Sequence, residues 1–159
     1  MIYGIFLTTD IGGRDKSLLA FATSPRDAEY FMRNKAQELG GVKYWRSIEI
    51  PTKTTRIYQF GNHEAFFLVE AYIVESEFLV SRRATYFNML IPQLRDMGFS
   101  FSVGEVPHLF ISVQSNAVHG RLYLTTESGF VSVKGCKGSK KTKNTLHFVN
   151  TLKKVSSNV

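Results

Sequence analysis

Lysines concentrate in the last quarter of the chain, where they could bind anionic ligands. Residues 121–159 contain eight basic residues and one acid, Glu127, whereas residues 1–120 contain twelve of each sign. The formal net charge of +7 therefore resides in the C-terminal segment. Such a cluster is typical of proteins that contact phosphate backbones or acidic surfaces, although it also occurs in solvated tails that bind nothing. The candidate nucleic-acid-binding residues are Lys134, Lys137, Lys140, Lys141, Lys143, His147 and Lys154.

The segment 135–142, GCKGSKKT, lies between a predicted strand and a predicted helix, as a phosphate-binding P-loop does. It fails the P-loop pattern because Lys140 stands where the second glycine is required, and this argues against an NTPase. Its glycines and the following helix N-terminus could still present N–H groups to a phosphate. The alternative is a flexible basic surface loop, which glycines and mutually repelling lysines favour.

Histidine, cysteine and carboxylate residues form no recognisable metal or catalytic motif. The four histidines are dispersed, and Cys136 is the single cysteine. His108 and Ser112 would lie about 13 Å apart along one strand, too far for contact between a nucleophile and a base. Glu70 and Glu75 would project from opposite faces of a strand. The sequence therefore predicts no catalytic residue, metal or cofactor, and favours a protein that is not an enzyme.

Aromatic residues beside basic ones suggest a second kind of contact. Tyr44 and Trp45 lie between Lys43 and Arg46, and Tyr58 follows closely after Arg56. Rings placed beside cations are typical of surfaces that stack single-stranded bases, so Tyr44, Trp45 and Tyr58 are candidate stacking residues. Most of the 20 Phe and Tyr residues must nevertheless belong to a core. The fragments GFSFSV and GFVSV resemble the aromatic RNA-binding strand of RNA-recognition motifs, without its leading basic residue and glycine.

The elements that would position these residues follow from hydrophobic spacing. Ser24 and Pro25 are typical of a helix start, and apolar residues recur at helical spacing from Ala28 to Leu39. An N-terminal β-β-α-β unit is therefore predicted, then a strand, a helix and a strand, and finally antiparallel strands with a C-terminal amphipathic helix. The class is α+β. The predicted strands are 2–8, 17–23, 42–50, 54–60, 65–74, 99–103, 109–114, 121–126 and 129–134, and the predicted helices are 25–39, 77–98 and 145–155.

Length and composition fit one folded domain over residues 1–159, with possible sub-units 1–60 and 61–159. Hydrophobic residues make up 43% of the chain and charged residues 21%, which excludes a wholly disordered or fibrous protein. Apolar runs are broken by charges, so the sequence predicts no membrane span and no membrane partner. The N-terminus lacks the features of a secretion signal, and one cysteine suits a reducing compartment, so a cytoplasmic location is expected.

Three functional hypotheses remain open. The first is a small protein that binds DNA or RNA through the C-terminal lysines. The second is an accessory or inhibitor protein of the kind common in phages and mobile elements, which would bind an acidic protein surface. The third is a small-substrate enzyme whose site is assembled from distant residues.

Overall fold

The first half of the chain forms an antiparallel sheet with one helix. The computed structural model describes residues 1–9, 14–39, 45–48, 55–60 and 65–159. The strand order of this sheet is β2-β1-β5-β4-β3. The predicted β-β-α-β order is thus confirmed, although parts of the predicted strand 42–50 lie outside the described residues. The elements are β1 (Ile2–Thr8), β2 (Ser17–Ala22), α1 (Pro25–Leu39), β3 (Trp45–Ile48), β4 (Thr55–Phe60) and β5 (Ala65–Tyr72).

Helix α1 begins and packs largely as its sequence predicts. The Ser24 hydroxyl accepts a hydrogen bond from the Asp27 backbone N–H at 3.1 Å, which satisfies one of the free donors at the helix start. Three small or flexible side chains then form the buried stripe against β1 and β5, namely Ala28, Met32 and Ala36. Phe31, expected in this stripe, is only partly buried at its margin, and Leu39 is 48% exposed.

The second half of the chain forms another antiparallel sheet, with the strand order β10-β9-β8-β7-β6. Helix α2 ends close to Gly98, where the predicted helix 77–98 also ends. Gly98 adopts a φ of 93°, and the Phe99 N–H donates a hydrogen bond to the Leu94 carbonyl. Pro92 lies within this helix. The elements are α2 (Glu77–Asp96), β6 (Ser100–Gly104), β7 (Phe110–Gln114), β8 (Val118–Tyr123), β9 (Gly129–Val133), β10 (Lys140–Thr142) and α3 (Thr145–Ser157).

Both helices of this half lie on the same face of the β6–β10 sheet. The rings of Phe87 on α2 and Phe101 on β6 meet edge to face, with their centroids 5.9 Å apart. On α3, Phe148 occupies the space that a side chain at Gly120 of β8 would fill. Alternate strand residues, such as Ile111, Val113 and Leu122, are buried on this face. The residues between them belong to the opposite face of the sheet.

Most predicted strands and helices agree with the structure to within a few residues at each end, and three larger differences stand out. Strand β8 begins at Val118 and ends at Tyr123, whereas 121–126 was predicted. Lys140–Thr142, predicted as part of a flexible loop, is a strand that pairs with β9. The chain divides into two compact units after Glu77 rather than after residue 60, because β5 pairs with β1 and β4. We call residues 1–77 the first unit and residues 78–159 the second unit.

The α+β class is confirmed by three helices and two antiparallel sheets among the described residues. That residues 1–159 form one domain stays a prediction, as does the mobility of 135–139. Among the described residues, every helix is too short or too polar to cross a lipid bilayer.

Candidate nucleic-acid interface

The face of the β6–β10 sheet opposite α2 and α3 carries aromatic, basic and hydroxyl side chains, and we call it the open face. Residues directly opposite one another on paired strands share a face, and one such row crosses all five strands. The row runs Lys141, Phe130, Arg121, Ser112 and Ser102. These side chains are half-buried in the middle of the sheet and exposed at its two edges. None of the strand residues on this face is acidic, and all of 78–159 is described.

Arg121 lies at the centre of the open face between aromatic rings. Its guanidinium carbon is 4.0 Å from the centroid of the Phe110 ring and 5.9 Å from that of Phe130. One of its terminal nitrogens donates to the Tyr123 hydroxyl at 3.3 Å. Within the described residues no carboxylate forms an ion pair with Arg121, and its Nε–H has no hydrogen-bond partner. The guanidinium therefore packs against the rings, and its buried Nε–H is left without a partner.

The position of the Phe110 ring depends on a glycine. A Cβ atom at Gly104, the residue paired with Phe110 on β6, would lie 2.2 Å from the ring. The missing side chain lets the ring lie across the edge of the sheet. On its other side Phe110 meets Tyr123 edge to face, with the ring centroids 5.6 Å apart. Phe110, Tyr123 and Arg121 thus form one aromatic and cationic cluster.

Ser112 and His119 are hydrogen-bonded across β7 and β8. The Ser112 Oγ and His119 Nε2 atoms are 3.2 Å apart. The imidazole also meets the Phe130 ring, with centroids 6.0 Å apart. Burial lowers the pKa of His119, and the positive charges of Arg121 and Lys134 lower it further. Ser112 thus pairs with His119 of the adjacent strand and not with His108, which precedes it by four residues in the sequence.

The predicted lysines do not share one surface. Lys141 projects on the open face beside Phe130, whereas the neighbouring Lys140 pairs with buried Val131 and therefore belongs to the helix side. Lys140 and Lys137 line an open cleft of about 360 Å³ that also includes Val155 of α3.

The other predicted basic residues are also exposed. Lys134 directly follows β9, Lys143 precedes α3 and Lys154 lies in the last turn of α3. His147 Nδ1 accepts a hydrogen bond from the Lys143 N–H at 3.1 Å. The cap of α3 is formed by Asn144, whose side chain accepts from the His147 N–H at 2.9 Å. The predicted lysines thus surround the β9–β10 edge of the sheet from both sides.

Of the predicted stacking residues, only Tyr58 has a described side chain. Tyr44 and the side chain of Trp45 lie outside the described residues. Tyr58 packs against the core cluster of the first unit that includes Met32 and Val69, and this contact favours a role in the core. The stacking role of Tyr44 and Trp45 stays a prediction.

The remaining polar candidates have structural partners or stand alone. Glu70 accepts hydrogen bonds from the Lys16 ammonium at 2.7 Å and from the Tyr72 hydroxyl at 2.8 Å. Glu75 lies beyond the end of β5, so the two carboxylates do not share a strand. Cys136 is exposed. In the parts of the chain that the structure describes, no group of three or more His, Cys, Asp or Glu residues could hold a metal ion.

Comparison with known proteins does not identify a relative of this chain. No protein-family model, curated protein or solved structure matches the chain significantly.

Four residues of the open face were not predicted as site residues from the sequence, namely Phe110, Arg121, Tyr123 and Phe130. Their signal was the alternation in FISVQ, HGRLY and GFVSV, in which small or apolar residues alternate with aromatic, basic or other polar ones.

Proposed function

We propose that this chain binds single-stranded nucleic acid on the open face of the second unit. The observation that supports the proposal is the cluster of Phe110, Tyr123 and Phe130 around Arg121 on a sheet face that α2 and α3 leave uncovered. Bases of a single strand are free to stack on such rings, whereas those of a duplex are already stacked on one another. The ligand is thus the nucleic acid that the sequence predicts, but the residues that contact it are those of the open face in addition to the C-terminal lysines.

The charges on and around the open face suit a phosphate backbone. Arg121 has no carboxylate partner among the described residues and can attract a phosphate oxygen through its positive charge, and Lys141 lies next to Phe130 at the β10 edge. Lys134 contributes positive charge near His119. Because no strand residue on the face is acidic, a phosphate meets no like charge there. We infer that the backbone of the strand passes along the β9–β10 edge while its bases lie on the rings.

The test is a fluorescence-anisotropy titration with a 12-nucleotide oligo-dT, an oligo-U of equal length and a 12-base-pair duplex, at two salt concentrations. We expect both single strands to bind more tightly than the duplex. Phe110→Ala and Phe130→Ala should each weaken single-strand binding by about 5- to 150-fold, the range for loss of one stacked base. Tyr30→Ala is the matched control, because this ring is 72% exposed on α1 of the first unit.

The electrostatic part is tested separately. Lys141→Gln should weaken binding to every sequence alike and should reduce the salt slope by about 0.7 for a single strand. Arg26→Gln removes the same charge from an exposed position on α1 and should leave the slope unchanged.

Two outcomes would overturn the proposal. One is the absence of single-strand binding by the wild type at low salt, which would leave the acidic-protein hypothesis. The other is binding that is insensitive to both phenylalanine variants but is lost when Lys140, Lys141, Lys143 and Lys154 are together replaced by Gln. That second result would show that the lysines predicted from the sequence, and not the rings of the open face, bind the nucleic acid.

A further inference from the structure

Ser112 lies where two different side chains of the adjacent strand can act on its hydroxyl. Arg121 is directly opposite Ser112 in the β7–β8 register, and His119 is the diagonal neighbour. The Ser112 Oγ to His119 Nε2 distance of 3.2 Å is within the range at which an imidazole can remove the proton of a nucleophile. The serine is half-buried on the open face and is not part of the fully buried core.

The charges around this pair favour a neutral imidazole and an anionic ligand. The groups that face His119 are Arg121 on its own strand, Lys134 after β9, and the uncharged Ser112 and Phe130. Burial and the two cations lower the pKa of His119, so its ring is neutral at pH 7 and can accept a proton. Arg121 has no carboxylate partner among the described residues. Its Nε is buried and one terminal nitrogen donates to the Tyr123 hydroxyl, so a phosphoryl oxygen would be bound by the other terminal nitrogen of the guanidinium.

We propose that Ser112 is a nucleophile for phosphoryl transfer from phosphate esters, with His119 as its general base and Arg121 as the group that binds the phosphoryl oxygens. In the first step the Ser112 Oγ–P bond forms and the bond from phosphorus to the leaving oxygen breaks. The Ser112 proton moves to His119 Nε2 and from there to the leaving oxygen. In the second step water attacks phosphorus, His119 takes a water proton, and the serine leaves with that proton. The serine is regenerated, and the products are the alcohol and a phosphate that carries one ester linkage fewer than the substrate.

This activity goes beyond nucleic-acid binding and is tested without nucleic acid. The probe is a fluorophosphonate, which phosphonylates activated serines with release of fluoride. We expect one label per chain on Ser112, located by mass spectrometry of the digested protein. The labelling rate should increase with pH through a pKa below 6.5 and reach a plateau near pH 7, because the neutral imidazole is the reactive form.

The variants separate a chemical role from a structural one. His119→Ala should decrease the labelling rate by at least 100-fold, and added imidazole should restore part of it, which a merely structural histidine would not allow. Ser112→Ala should remove the label. Ser102→Ala is the matched control, because this hydroxyl lies in the same row of the open face and is exposed at the β6 edge. It should label at the wild-type rate.

The proposal is overturned if Ser112 is labelled no faster than Ser102, or if His119→Ala leaves the rate of Ser112 labelling unchanged. Either result is independent of the oligonucleotide titration, so the two proposals can fail separately.

Discussion

The two sheets of this protein bury their strands in different ways. In β1 five of seven residues are buried, and in β2 five of six, including neighbours that point to opposite faces. In β8 buried and half-exposed residues alternate without exception, and β7 follows the same alternation. The first sheet is thus apolar on both faces of its first two strands, whereas the second is apolar on one.

This difference locates the surface that is available for binding. A strand that is buried on both faces has only its ends and edges for other contacts, whereas an alternating strand offers one complete row of side chains. In the second unit that row carries a ring, a guanidinium and hydroxyls, with one lysine at the β10 edge and no acid. The four predictions below test the contrast, beginning with the largest effect.

The same substitution should have very different consequences in the two sheets. Phe67 on β5 is fully buried beneath α1, so Phe67→Ala should decrease the free energy of unfolding by about 3–5 kcal/mol. Phe130 on the open face is half-exposed, and Phe130→Ala should cost roughly 1 kcal/mol, the range for lost aromatic contacts. Urea unfolding followed by circular dichroism measures both values. Equal losses would show that the open face belongs to a core.

The helix-covered face of the second sheet should not tolerate a larger residue at Gly120. A Cβ atom there would lie 2.9 Å from the Phe148 ring and 3.2 Å from Leu152, so Gly120→Val should destabilise the protein by about 1–3 kcal/mol. Gln114→Val places the same side chain on the open face, where it is exposed, and should change stability by less than about 0.5 kcal/mol. Thermal unfolding of the two variants gives the comparison. A tolerated Gly120→Val would mean that α3 does not pack closely on β8.

Each unit also has one helix cap that can be removed. Ser24→Ala deletes the acceptor at the start of α1, and Asn144→Ala deletes the acceptor at the start of α3. Each should cost about 1 kcal/mol because a backbone N–H of the first turn loses its partner. Ser24→Asn and Asn144→Ser keep an acceptor and should recover most of that loss in the same unfolding assay. A cap variant without effect would indicate that water replaces the side chain fully.

The smallest effect concerns the dependence of stability on pH. Because the pKa of His119 is lower in the folded protein, the unfolded chain takes up its proton first as the pH falls. The contribution of the neutral ring is complete above about pH 6.5, the ordinary value for histidine, and is lost as the pH falls toward the folded pKa. His119→Gln should flatten this part of the stability profile. If the free energy of unfolding of His119→Gln changes between pH 7 and pH 5 as steeply as that of the wild type, the pH dependence belongs to other groups.

The order of the elements could be predicted from local patterns, because capping residues, helical spacing and alternation act within a few residues. Ser24 and Pro25 identified the start of α1. Strand β10 was missed because its lysines and the preceding glycines are typical of a loop, and only its pairing with β9 makes it a strand. Strand β8 was misplaced because His119 and Gly120 have little preference for strands by themselves.

The site depends on register, which no local pattern specifies. Ser112 meets His119 because β7 and β8 pair with Gln114 opposite His119. Phe110, Arg121 and Phe130 lie on three different strands, so their cluster exists only when all three registers are correct. The lysines also show why a local pattern is not sufficient. Lys140 and Lys141 are neighbours in the sequence, but side chains alternate along β10, so the two lysines belong to opposite faces of the sheet.

Strand β10 also bears on how molecules of this protein behave when they are concentrated. It forms one edge of its sheet, and an edge strand has backbone N–H and C=O groups with which a strand of another molecule can pair, the first step toward fibrous aggregates. This edge is three residues long, and two of them are Lys140 and Lys141. Two such edges brought side by side would place like charges against each other. The lysines therefore protect the sheet against growth into a larger assembly.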